Sequence, residues 1–187
     1  IPFSDKLDYL LRIINDKDSL EKNEIKINLC ILSEEKELSW HFLKNLKDPD
    51  WFPKIKDNII KSIAEDTCDT ATKYQLLSFF EKCVADHSDE IVPLLLQLER
   101  NTQSYHILSN LVRTIGSLKP KSKEAITSLW QIFDDLVEHQ HPWVRREIPK
   151  ALLSSIDLDE DKVFSLFKKL FEYSPPPQDV TQGSPTL

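Results

Sequence analysis

Six cations fall in two neighbouring stretches of the chain: Lys119, Lys121 and Lys123, then Arg145, Arg146 and Lys150. Drawn onto one edge, they would converge into a groove for an anion or a nucleic acid; left apart, they are a solvated surface. The tryptophans Trp40, Trp51, Trp130 and Trp143 form a second set. Flat rings serve as stacking platforms for bases or as anchors for a peptide. Trp51 and Trp143 stand at helix starts, and Trp130 shares a stripe with Ile126 and Phe133, so these three read as packing residues. Trp40 lies off the stripe of Leu38 and Phe42 and is expected to be exposed.

Reaction chemistry is harder to find. Trp130 has Asp134 four residues on, and Arg145 follows eleven positions later, which puts an aromatic ring, an acid and a cation in one region. The plain reading of that pair is a salt bridge from Arg145 to Asp134 or Asp135. His139 and His141 share a turn, while Cys30, Cys68 and Cys83 are scattered, so neither set has the paired local spacing that four zinc ligands need. Acidic groups such as Asp86, Asp89 and Glu90, or Asp157, Asp159, Glu160 and Asp161, lack the glycine and terminal glutamate of a calcium loop. They fit helix N-termini, where the dipole favours negative charge. No glycine-rich nucleotide motif, nucleophile elbow or H-E-x-x-H is present. No catalytic constellation and no cofactor are therefore expected.

The whole chain sets further bounds. Its 187 residues carry a net charge of −7, which repels phosphate backbones and disfavours general nucleic-acid binding. With only 2 glycines, β-hairpins and phosphate-cradling loops are disfavoured. No apolar run approaches the ~18 residues of a membrane span. An odd set of 3 cysteines without paired spacing points to reduced thiols and a cytoplasmic protein. The absence of Met, together with a Pro-rich end, suggests a piece of a longer chain.

Apolar residues recur at helical spacing almost throughout. Helices are expected around Leu7 to Ile14, Ile25 to Leu32, Glu35 to Leu46, Ile55 to Ile63 and Ala71 to Ala85. Five more follow: one capped by Ser88 and running to Leu98, one begun by Thr102 or Ser104 and ending near a left-handed Gly116, then Ala125 to Val137, Pro142 to Leu153, and Val163 to Phe171. Three turn-then-proline segments recur, ending at Pro53, Pro93 and Pro149. Loose recurrence of one helix-turn-helix unit is the mark of a solenoid. Residues 1–173 read as that array, and 174–187 as a Pro/Ser/Thr-rich linker or strap.

The stretch His141-Pro142-Trp143-Val144-Arg145-Arg146 resembles the turn of HEAT repeats, and Asp48-Pro49-Asp50-Trp51 and Asp86-His87-Ser88-Asp89 are weaker copies without the arginine. The HEAT/armadillo resemblance implies an all-α, right-handed α-α superhelix of antiparallel helix pairs. The segment from Phe42-Leu43 to Asp50-Trp51-Phe52 is similar to helical regions of large bacterial multidomain proteins. Trp130, Asp134 and Arg145 also resemble the groove residues of HEAT-like alkylated-base DNA glycosylases. In that family the parts come from well-separated repeats, which is a departure here.

The expectation is a non-catalytic helical-repeat scaffold that binds another protein or another domain of its parent chain. A nucleic-acid sensor using the Lys119 to Lys150 edge, and a glycosylase, are the other readings. The candidate binding residues are Lys119, Lys121, Lys123, Arg145, Arg146, Lys150 and Trp40.

Overall fold

The computed structural model describes residues 52–64 and 70–174. The helices expected before residue 52, Trp40, Trp51, Cys30, Cys68 and residues 175–187 lie outside the described residues. Among the described residues every regular element is an α-helix: α1 (Phe52–Ala64), α2 (Thr70–Arg100), α3 (Tyr105–Ile115), α4 (Lys123–Leu136), α5 (Pro142–Ser154) and α6 (Glu160–Glu172). The protein is thus all-α in these residues.

Local chemistry sets the helix starts. Ser122 accepts the Ala125 backbone N–H at 3.2 Å ahead of α4, and Asp159 accepts that of Lys162 at 2.9 Å ahead of α6. Each cap satisfies an amide that the helix cannot, a contribution of about 1 kcal/mol. Pro142 occupies the first turn of α5, where its missing N–H is not needed. Pro149, by contrast, sits inside α5 rather than at its start. The break expected near Ser88 is a kink: His87 leaves helical geometry (φ −126°, ψ 20°), and α2 continues on both sides.

The kink lets α2 serve both layers of the stack. Residues 88–100 lie beside α1, with Lys56 bonded to Glu90 at 2.5 Å at one end and Asn101 donating to the Ile63 carbonyl at 2.7 Å at the other. Ser88 and Asp89 then reach forward to the turn before α4. Ser88 Oγ accepts the Lys119 N–H at 3.0 Å, and Asp89 Oδ1 accepts those of Lys121 and Ser122 at 2.6 and 2.8 Å. These two amide donors hold the Asp89 carboxyl below the usual carboxylate range. Asp89 was expected to serve its own helix start; here it also ties one helical hairpin to the next.

The second layer holds residues 70–86 of α2, then α3, then α5. Glu81 meets Arg113 and Thr114, and α3 packs on α5. Between the layers runs one apolar core with Phe52, Phe80, Leu111, Phe133, Ile148 and Leu152 all buried. Each such side chain contributes about 1.5–3 kcal/mol by leaving water. Phe52 and Phe80 meet edge-on at 6.1 Å.

Gly116 departs from the sequence expectation. Its φ of −59° and ψ of −16° are right-handed, so no left-handed cap is needed. Its use is close approach: a Cβ there would stand 3.2 Å from the Ala151 Cα and 3.3 Å from the Ala151 Cβ. Glycine lets α3 and α5 come together. Helix α6 carries two phenylalanines, Phe164 and Phe171, that leave the core. They are 58% and 78% exposed, and only Val163 and Leu166 of that helix are fully buried. The far side of α6 has no further described helix to cover it.

A candidate binding groove along the α3–α5 seam

The turn before α5 is built from its own side chains. His139 Nδ1 accepts the His141 backbone N–H at 3.0 Å, and His141 Nδ1 accepts that of Trp143 at 3.3 Å. Both bonds require an unprotonated nitrogen. Burial first, and the charge of nearby Arg145, hold His139 below the ordinary histidine range. Arg145 closes the same turn, donating to the carbonyls of His139 at 2.5 Å and Gln140 at 2.7 Å. Its guanidinium also lies 5.1 Å from the centre of the Tyr173 ring.

The expected bridge from Arg145 to Asp134 or Asp135 is not formed. Asp134 instead accepts from Lys162 at 2.6 Å and Lys169 at 3.0 Å, both on α6. Burial alone would raise the Asp134 carboxyl, but these two ammonium groups outweigh it and hold it low. Carbonyls one turn back were nearer to Arg145 than a carboxylate on the preceding helix. Trp130 packs on Phe133 with ring centres 6.0 Å apart, as its stripe predicts. The Trp130, Asp134 and Arg145 set is therefore divided among separate structural partners.

Trp143 does not plug the core. It is 55% exposed and faces a groove of about 450 Å³ lined by Tyr74, His106, Ser109, Asn110, Arg113, Trp143, Arg146 and Glu147. These residues come from α2, α3 and α5. The indole is held edge-on by Tyr105 at 6.0 Å, His106 at 5.5 Å and His141 at 6.3 Å. Tyr105 stacks flat on His141, 3.7 Å away with 7° between planes. Ser109 Oγ donates to the Trp143 carbonyl at 3.4 Å, pinning the backbone to α3. An exposed tryptophan held this way is a prepared contact surface.

The cations separate into three settings. Arg146 opens into the groove and has no ion pair or hydrogen bond among the described residues. Lys150, one turn on, lines an adjoining recess floored by Gly116 and Ala151 and shared with Arg113 and Glu147. Lys119 reaches the same seam from the α3–α4 turn, where its ammonium donates to the Ser154 carbonyl at the end of α5. Lys121 and Lys123 are exposed at the start of α4, beside Asp89, and do not line the groove. Arg145 turns the other way. So the expected edge divides: Arg146, Lys150 and Lys119 share the seam, and the others do not.

Sequence reasoning missed Arg113, Tyr74 and His106. Arg113 is positioned by Glu81 at 3.6 Å and by a hydrogen bond to Asn110 Oδ1. The signal available was spacing: Tyr105, His106, Ser109 and Arg113 occupy polar positions between the buried residues of α3.

Among the described residues, no group of three or more His, Cys, Asp or Glu is placed to hold a metal ion. No helix among them is long and apolar enough to cross a membrane. Compared with known proteins, the chain matches no family model, no curated protein and no solved structure.

Proposed function

We propose that this chain is a non-catalytic helical-repeat scaffold, HEAT-like in form, that binds another protein or another domain of a longer parent chain. In this reading the hairpins continue as a right-handed superhelix of about five pairs, and the protein works in the cytoplasm. The observation that carries it is Trp143, 55% exposed yet held by Tyr105, His106 and His141, beside an unpaired Arg146. Core packing does not need an exposed indole, whereas protein interfaces are anchored by Trp and Arg. The exposed apolar side chains Leu153 on α5 and Phe164 and Phe171 on α6 are further places where a neighbouring domain would find contact.

A nucleic-acid sensor is the second reading, favoured by Arg113, Arg146 and Lys150 along one seam. Gel shift with short duplex DNA at low and moderate salt separates the two. The scaffold reading expects no shift at moderate salt. Salt-sensitive binding lost in Arg146→Ala would replace it with the sensor. Release of an alkylated base, abolished in Asp134→Asn, would make the protein a glycosylase.

A further inference from the structure

We infer that the α3–α5 groove recognises a peptide segment carrying an aromatic side chain next to a carboxylate. The inference rests on the scaffold reading and names the partner's chemistry.

The argument starts from charge. Arg113, Arg146 and Glu147 line the groove, and Glu81 stands 3.6 Å from Arg113, so the charges of the site nearly balance and what sets Arg146 apart is that its guanidinium is not paired with either carboxylate. Arg146 is the cation without a partner among the described residues. One free guanidinium matches one carboxylate, held by two parallel hydrogen bonds. A run of phosphates would meet Glu147 and Glu81, within a chain of net charge −7. A cationic ligand is disfavoured as well: the rings could attract one, but Arg113 and Arg146 would repel it.

The aromatic half follows from geometry. Tyr74 is 46% exposed and Trp143 55% exposed, and both line the same space. The groove is open to solvent, and its volume of about 450 Å³ has room for one or two side chains laid against its wall. Trp143 needs no reordering to accept a ring, because three neighbouring rings and the Ser109 bond already fix it. Ser109 Oγ, with its proton given to the Trp143 carbonyl, keeps its lone pairs to accept a peptide N–H, while Asn110 is taken up by His106 and Arg113.

The test is an array of short synthetic peptides in which aromatic and acidic positions are varied independently. Binding by the 187-residue chain should require both features. Trp143→Ala should weaken the selected peptides by about tenfold or more, as removal of an interface anchor does. Arg146→Glu should invert the charge preference, so that aromatic peptides with Lys in place of Glu now bind. Arg146→Lys, which keeps the charge but not the fork, should retain part of the binding. Thermal melts of the Arg146 variants should match the parent, since that guanidinium is unpaired among the described residues; Trp143→Ala gives up contacts with three rings, so its fold is checked by circular dichroism below its melting point before binding is read. Selection of peptides with other chemistry, or a preference untouched by Arg146→Glu, overturns this inference and leaves the scaffold reading standing. Binding of a single-stranded oligothymidylate with no peptide selected overturns both.

Discussion

Arg145 and Arg146 are neighbours in sequence, yet they belong to different regions of the molecule. One helical step turns a side chain by about 100°. Arg145 turns into the α5 entry turn, where two carbonyls and the Tyr173 ring take it up. Arg146 turns to the seam and meets open space beside Trp143. The turn is self-satisfied and explains itself as structure. The groove holds a fixed ring and a free cation, and folding accounts for neither. Function is therefore sought where polar and aromatic groups are positioned but not used.

That contrast can be broken or sharpened by substitution. The largest effect should come from the inward face of α5: Ile148→Ala, at a fully buried site, should lower stability by about 2–5 kcal/mol in urea unfolding. Gly116→Ala should come next, at about 1–3 kcal/mol, because Ala151 backbone must give way. Ala151→Gly should restore only part of that loss, because it removes the Cβ at 3.3 Å but leaves the Cα at 3.2 Å. Arg145→Ala should cost about 1–3 kcal/mol through two lost charge-assisted bonds, whereas Arg146→Ala should stay within about 0.5 kcal/mol of the parent. Equal losses in the two arginine variants would erase the distinction between the regions.

The pH dependence should also be uneven. His139 has a folded pKa below its ordinary 6.5, so the unfolded chain takes up a proton first as pH falls. Stability should therefore decline from about pH 6.5 downward. Asp89, Glu90 and Asp134 are held low as well, so their contribution is present above the ordinary carboxylate range and is lost below it. Glu99 runs the other way: burial and then Asp135 raise it, and acidification relieves that penalty. Melts of His139→Gln against the parent should converge toward acid pH if His139 carries the first decline.

Much of the fold was legible in the sequence. The buried stripes Ile55, Ile59 and Ile63, or Leu111, Val112 and Ile115, follow directly from helical spacing. The start at Pro142 and the acidic cluster around Asp159 follow from capping chemistry, whereas apolar spacing begins the helix between them and Ser117 at Ala125 and passes over the Ser122 cap. Features that depend on how one hairpin meets the next were not legible. Gly116 looked like a left-handed cap because local sequence does not show that Ala151 approaches it. Trp143 looked like a plug because an indole at a helix start fits either role until the neighbouring helix is placed. Arg146 and Lys150 were legible as cations but not as neighbours of Arg113, and Lys121 could not be seen to meet Asp89 of α2 through its backbone.

Two tryptophans supply the most direct test of the central claim. Trp130 packs against the core and Trp143 lines the groove. In nitrogen-15 NMR, titration with a peptide containing Phe flanked by Glu should shift the Trp143 indole resonance and leave that of Trp130 in place. A stationary Trp143 signal at saturating peptide, or equal shifts at both rings, would contradict the account.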